Sequence, residues 1–95
     1  MVVRKEHTRN VDYLYDFIKG NLELKTPEGD GEKNILHAIK RSRGQSVNIL
    51  IDVSKVTTLA TAITRFKKID FENRYNWVEL VIIRNNDDFV VFEIQ

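Results

Sequence analysis

The segment around residue 23 carries acidic and basic side chains at a spacing suited to metal-dependent hydrolysis of phosphodiesters. Glu23 and Lys25 are separated by one residue in an alternating stretch, and Asp12 precedes them. On a β-strand, side chains two residues apart point to the same face. Asp12 and Glu23 would then bind a divalent cation, and Lys25 would orient or activate the attacking water. Ordinary solvated strand faces contain the same kind of pair, so both interpretations remain open.

A second candidate site is the basic side of a predicted helix, beside Lys25 and Thr26 from the preceding loop. Residues three or four apart on a helix share one side, and this side carries Lys33, His37, Lys40 and Arg41. Near neutral pH, His37 could transfer a proton to or from a 2′-hydroxyl. The neighbouring cations would hold a phosphate and stabilise the extra negative charge of its transition state. The alternative is a solvated helix face without chemistry.

Amide and aromatic side chains elsewhere are candidates for contacts with bases. Gln45 and Ser46 follow the predicted helix and Asn48 begins the next strand, where they could position a nucleic acid or simply complete a turn. Aromatic rings can stack on bases, and the candidates are Tyr13, Tyr15, Tyr75 and Trp77. Packing in the core or over a sheet edge is the alternative for all four.

Composition limits the classes of protein to consider. The chain has 95 residues, a net charge of +1 and no cysteine. One domain is expected, and disulfides, thiolate metal sites and a cysteine nucleophile are excluded. No apolar run is long enough to span a membrane, and the first residues lack the apolar region of a signal peptide. Basic residues cluster at 33–43 and 65–68, so local fields matter more than the net charge.

Hydrophobic periodicity predicts the elements that position these residues. The predicted order is strand, strand, helix, strand, helix, strand, strand. The strands are expected at 11–18, 22–25, 47–53, 77–83 and 89–94, and the helices at 32–43 and 55–70. This pattern predicts an α+β protein in which residues 11–95 form one domain, with a five-stranded mixed sheet and two helices packed on it. Residues 1–10 are expected to be a flexible segment.

Local signals add four expectations about these elements. Leu22 and Leu24 should face the core, because they alternate with charged residues. Ser54 should cap the N-terminus of the second helix, and residues 84–88 should form a hairpin turn because Asn and Asp tolerate positive φ. The apolar segment 89–94 is a candidate sheet edge that would pair with a second copy and give a homodimer.

From residue 10 onward, three stretches resemble one known family. They are NVDYLYDFIKGNLELKTPEGDGEKNI, with its Asp-Tyr-Leu and Glu-x-Lys-Thr-Pro elements, then HAIKRSRGQSVNILIDVSK and WVELVIIRNNDDFVVFEI. The family is the C-terminal toxin domain of bacterial contact-dependent inhibition proteins, which also occurs in phage head-morphogenesis and mobile-element proteins. It is assigned to the barnase–EndoU–colicin–RelE-like superfold.

The resemblance implies a ribonuclease, because proteins of that superfold are mostly metal-independent ribonucleases and several cut tRNA. It also implies action in the bacterial cytoplasm and inhibition by a cognate immunity protein. Carried over residue by residue, it points to Asp12, Glu23, Lys25, Thr26, the helix at 33–41, Gln45 and Asp52. For Asp52, a capping role at the second helix is the alternative to a catalytic one.

Three functional hypotheses follow. In the first, the chain cleaves RNA, expected to be tRNA, without a cofactor; the catalytic candidates are Lys25, His37, Glu23 and Thr26, and the nucleic-acid-binding candidates are Lys33, Lys40, Arg41 and Gln45. In the second, the chain is a DNase in which Asp12 and Glu23 bind Mg²⁺ or another divalent cation beside Lys25. In the third, it is a non-catalytic binding or accessory module of a phage or mobile element.

Overall fold

The computed structural model describes residues 2–8, 22–29, 32–69 and 74–94. In chain order its elements are β1 (Val2–Thr8), β2 (Glu23–Lys25), α1 (Glu32–Arg41), β3 (Asn48–Asp52), α2 (Leu59–Phe66), β4 (Leu80–Asn85) and β5 (Asp88–Ile94). Within these ranges the predicted class, α+β with a mixed sheet and two helices, is confirmed. The strand predicted at 11–18 lies outside the described residues.

The first described strand lies where a flexible segment was expected. Residues 2–8 pair antiparallel with β5 instead of forming the flexible segment predicted over residues 1–10. Pairing at a sheet edge needs backbone N–H and C=O groups, so a polar segment can form it without an apolar face. As a result β5 has a neighbour on each side, and the expectation that 89–94 forms a sheet edge is wrong.

The described strands form one five-stranded sheet in the order β1-β5-β4-β3-β2. β2, β3 and β4 run parallel, and α1 and α2 connect them in turn. β4 and β5 form an antiparallel hairpin whose turn contains Asn86 with a φ of 53°. This geometry confirms the turn predicted at 84–88, because asparagine is one of the few residues that adopts positive φ readily.

The two helices pack on one face of the sheet, and most of the core lies between them and the strands. In α1, the apolar residues Ile35, Ala38 and Ile39 recur at helical spacing and are fully buried. Phe66 ends α2, and its ring centroid lies 4.3 Å from that of Phe92 on β5. Burial of this apolar stripe holds α1 against the sheet, since a helix of ten residues is marginal by itself.

The opposite face of the sheet is also buried. Its core cluster contains Leu50, Leu80, Ile82, Phe89 and Val91. β3 therefore contributes buried side chains to both faces, which confirms the prediction from its nearly continuous apolar run.

The expectation for Leu22 and Leu24 is only half right. Leu22 packs against the second core cluster, but Leu24 is 60% exposed. Leu24 lies opposite Leu50 in the register, on the last strand of the described sheet. A strand at that position has a neighbouring strand on one side only. The alternation of leucines and charged residues therefore did not predict how much of each leucine side chain is buried.

The second helix begins later than predicted. α2 covers Leu59–Phe66 instead of 55–70, and Thr58 is its N-cap, with its hydroxyl accepting the N–H of Thr61 at 3.2 Å. Residues 54–56 form a separate turn, in which the carbonyl of Val53 accepts the N–H of Val56 at 3.0 Å. The Ser54 cap predicted from the sequence is wrong because Ser54 is used in this turn.

Candidate functional site

Glu23 and Lys25 form an ion pair on the helix-covered side of the sheet. Their charged groups are 3.2 Å apart, and the side chains are partly buried, with 32% and 18% exposure respectively. Their register partners on β3 are Ile49 and Ile51, which belong to the core beneath the helices. The prediction that the two side chains share a strand face is confirmed.

Thr26 extends this segment beyond the end of β2 and is exposed, whereas Pro27 after it is buried. Asp12, the other candidate metal ligand, lies outside the described residues. Within the ranges that the structure describes, no group of three or more His, Cys, Asp or Glu side chains is arranged to hold a metal ion. Glu23 is the candidate ligand that the structure describes, beside an ammonium that neutralises part of its charge.

The basic residues of α1 lie on the side of the helix that faces away from the sheet. All four are exposed, namely Lys33, His37, Lys40 and Arg41. They oppose Ile35 and Ile39, which face the core. The predicted cationic face therefore exists, and the periodicity of the helix is its physical cause.

Two further polar residues join this cationic face in a small notch. The notch is lined by Glu28, Asn34, His37 and Arg41, and its volume is about 40 Å³. This volume has room for a water molecule or two but not for a nucleotide. A substrate would therefore lie across the mouth of the notch, with one oxygen or one proton-transferring group entering it.

The loop before α1 supplies Glu28 because it passes close to the first turn of the helix. At Gly29, a Cβ atom would lie 3.0 Å from Nδ2 of Asn34, so the close approach is easiest for glycine. The sequence interpretation missed Glu28 and Asn34. The available signal was the Pro27–Gly29 turn directly before a helix, which lets the chain fold back along the helix surface.

The notch combines three groups that acid–base chemistry at a phosphate requires. A carboxylate can accept a proton, an imidazole is the side chain that most often transfers protons near neutral pH, and a guanidinium stabilises charge on phosphate oxygens. The Asn34 amide adds hydrogen-bonding capacity. These groups come from Glu28, His37 and Arg41.

Lys25 is not one of the residues that line the notch with His37. Lys25 lies on the sheet face that the helices cover, whereas His37 points from the opposite side of α1. Gln45 also lies elsewhere, in a depression with Trp77. The predicted site residues therefore separate into an ion pair on β2, a cationic face with its notch on α1, and a depression beyond the end of α1.

Asp52 is engaged in a network that joins the ends of β3 and β4. Its Oδ1 accepts the backbone N–H of Ser54 at 3.0 Å and also the Ser54 hydroxyl. The Ser54 hydroxyl oxygen accepts the N–H of Asn86 at 2.7 Å. Partial burial raises the pKa of Asp52, but the Ser54 hydrogen bonds and the charges of Arg84 and Lys55 outweigh it, so the net pKa is lowered.

The aromatic candidates also separate. Tyr13 and Tyr15 lie outside the described residues, and Tyr75 is 8% exposed within the core. Trp77 is partly buried and lines the depression that contains Gln45. Among the described aromatic candidates, Trp77 is the one with an accessible surface for stacking.

None of the described helices is both long enough and apolar enough to cross a membrane. Comparisons of the chain with protein-family models, with curated proteins and with solved structures each gave no match.

Proposed function

We propose that this chain is a small nuclease domain that cleaves RNA without a metal ion, with tRNA as the expected substrate. The notch on α1 supports the proposal, because Glu28, His37 and Arg41 meet there on an exposed cationic helix face. The resemblance to toxin ribonucleases points in the same direction. The notch itself consists of described residues only.

The proposed reaction is attack of a 2′-oxygen on the adjacent phosphorus. Glu28 accepts the 2′-hydroxyl proton, the new bond forms between the 2′-oxygen and phosphorus, and the bond between phosphorus and the 5′-oxygen breaks. Protonated His37 gives its proton to the leaving 5′-oxygen. The products are a 2′,3′-cyclic phosphate and a 5′-hydroxyl, and Arg41 stabilises the negative charge that develops on the phosphate oxygens.

The remaining cations of α1 would hold the strand on either side of the reacting phosphate. Lys33 and Lys40 lie seven residues apart, which corresponds to about 10 Å along the helix axis. Single-stranded RNA or a tRNA loop fits such a site better than a duplex, because its bases and 2′-hydroxyls are reachable.

The decisive experiment incubates the purified chain with total tRNA, with and without excess EDTA, beside matched variants. His37→Gln and Glu28→Gln should each lower the cleavage rate by about 100-fold or more, the usual size of an acid–base contribution. Glu79→Gln is the matched control, since Glu79 is exposed and lies outside the notch. Cleavage should survive EDTA. Wild-type rates in both notch variants would refute the assignment.

A metal-dependent DNase is the second candidate, and the Glu23–Lys25 pair favours it. The two charged groups are 3.2 Å apart and partly shielded from solvent. In this candidate mechanism the Glu23 carboxylate would bind the cation and the Lys25 ammonium would orient the attacking water. Asp12 would complete that site. DNA cleavage that EDTA abolishes and Mg²⁺ restores, and that Lys25→Met or Glu23→Gln removes, would support this candidate. Absence of any cleavage by the folded chain would favour a non-catalytic binding module.

A further inference from the structure

An open depression of about 550 Å³ lies where two loops enter the sheet at the amino ends of β3 and β4. We call it the amino-edge depression; its lining residues are 43–47 from the loop after α1, with Asn76 and Trp77 from the loop before β4. The carbonyl of Val47 accepts the N–H groups of Glu79 at 2.9 Å and of Leu80 at 3.2 Å. These two hydrogen bonds join the two loops.

Further hydrogen bonds hold each loop in place. The N–H of Gln45 donates to the carbonyl of Ser42 at 2.9 Å, and the buried Ser42 hydroxyl donates to the carbonyl of Ala38 at 3.0 Å. Between them, Gly44 has a φ of +82°, a conformation that favours glycine. In the other loop, the N–H of Val78 donates to the carbonyl of Tyr75 at 3.0 Å. The depression is therefore built before any ligand binds.

The lining combines the groups that recognise a nucleobase. A volume of about 550 Å³ lies within the range of about 300–1,000 Å³ that is usual for small-ligand sites. Trp77 offers an aromatic surface beside Val47, which is 38% exposed. Gln45 and Asn76 are exposed amides that can both donate and accept hydrogen bonds, and Arg43 is an exposed cation.

We propose that the amino-edge depression binds one unstacked base of a single-stranded RNA. The base stacks on Trp77, Gln45 and Asn76 bind its polar edge, and Arg43 contacts the flanking phosphate. Paired bases in a duplex cannot present their faces in this way, so the site selects single strands or loops.

This proposal adds a base-binding site to the proposed nuclease, and the role of the depression in cleavage rests on that proposed function. Arg41 lines the notch and Arg43 lines the amino-edge depression. Two residues span at most about 7 Å along the chain. In the proposal, one RNA strand contacts the notch with its phosphate and the depression with a neighbouring base.

The test uses a single-stranded 2′-O-methyl RNA hexamer, which lacks the 2′-hydroxyl nucleophile and separates binding from cleavage. Trp77 is the one tryptophan of the chain, so its fluorescence reports directly on the depression, and anisotropy of a labelled hexamer gives the affinity. An abasic nucleotide placed at each position in turn removes one base without removing a phosphate. We expect quenching on binding, and at least one abasic position should weaken binding by about fivefold or more.

Variants at exposed positions avoid the packing role of the partly buried Trp77. Arg43→Ala should weaken binding of the hexamer, whereas Lys55→Ala, the matched control beyond the carboxyl end of β3, should not. Gln45→Ala and Asn76→Ala should reduce the preference among hexamers of different base composition while leaving Trp77 quenching in place.

The proposal would be overturned by unchanged Trp77 fluorescence when anisotropy shows saturation, or by equal affinity for every abasic hexamer. Failure to bind the hexamer at all would also overturn it. Cleavage of tRNA by the same preparation separates this failure from failure of the proposed function. Cleavage without quenching would refute the base site alone, and quenching without cleavage would refute the nuclease alone.

Discussion

Replacing Asp52 by alanine tests whether this residue supports the fold or takes part in the chemistry. The resemblance names Asp52 as a candidate site residue, but the structure shows its Oδ1 bound by the N–H and the hydroxyl of Ser54. Ser54 in turn binds the N–H of Asn86 in the β4–β5 hairpin. We therefore expect Asp52→Ala to loosen the junction between β3 and the hairpin and to leave the rate of cleavage largely unchanged.

The size of the loss follows from the hydrogen bonds. A hydrogen bond to a charged group contributes about 1.5–3 kcal/mol when it is well shielded. Asp52 is only partly buried, and water replaces part of what the variant loses, so the two bonds together should contribute about 1–3 kcal/mol. For a domain of this size, that corresponds to a fall in Tm of about 5–20 °C.

The loss should depend on pH with a definite sign. Because the folded state lowers the pKa of Asp52 below its ordinary value of 3.8, the charged carboxylate stabilises the fold fully above that value. This stabilisation is lost as the pH falls through the lowered pKa. The difference in Tm between wild type and Asp52→Ala should therefore be largest near neutral pH and should shrink below about pH 4.

The assay is thermal unfolding at pH 7 and pH 3, followed by circular dichroism, with tRNA cleavage measured in parallel. Asp87→Ala is the matched control, because Asp87 is an exposed acid in the adjacent hairpin turn. A Tm equal to that of the wild type, together with a 100-fold loss of cleavage, would refute the structural role and assign Asp52 to the chemistry.

Two further predictions concern packing. Phe66→Ala should lower the free energy of unfolding by about 3–5 kcal/mol, because Phe66 is fully buried against Phe92; a loss below about 1 kcal/mol in urea unfolding would contradict this packing. Leu24→Ala should lower the free energy of unfolding by less than about 0.5 kcal/mol, because Leu24 is 60% exposed. Its register partner Leu50 is 5% exposed, and Leu50→Ala should lower the free energy of unfolding by about 2–5 kcal/mol. Equal losses in the two variants would show that the register or the exposure of Leu24 is wrong.

The sequence predicted those features of the fold that periodicity determines. The apolar run in β3 indicated a strand buried on both faces, and the alternation of basic and apolar residues in α1 indicated one exposed side and one core side. Both follow from local geometry that tertiary contacts did not override. The hairpin after β4 was predictable because Asn86 tolerates the positive φ that the turn requires.

Features that depend on competing partners were not predictable in the same way. Ser54 and Thr58 are both suitable N-caps, and the choice between them depends on Asp52 and Asn86, which bind Ser54 from other elements. The pairing of residues 2–8 with β5 uses backbone groups that leave little trace in the side-chain pattern. Glu28 was not among the site residues predicted from the sequence, because its position beside His37 depends on the fold of its loop.

The parallel order of β2, β3 and β4 explains why the notch and the amino-edge depression both take residues from α1 or from the loop that follows it. Loops that follow the parallel strands emerge at the carboxyl ends of these strands, where the Ser54 N–H donates a hydrogen bond to Asp52 at the end of β3. Loops that follow the helices emerge at the amino ends of the strands, where the amino-edge depression lies open. α1 runs between these two ends and carries Arg41 in the notch, with Arg43 just beyond its end. Any shift of α1 on its buried Ile35 and Ile39 would therefore move both candidate contacts at once, which makes the packing of this helix a condition for the proposed activity.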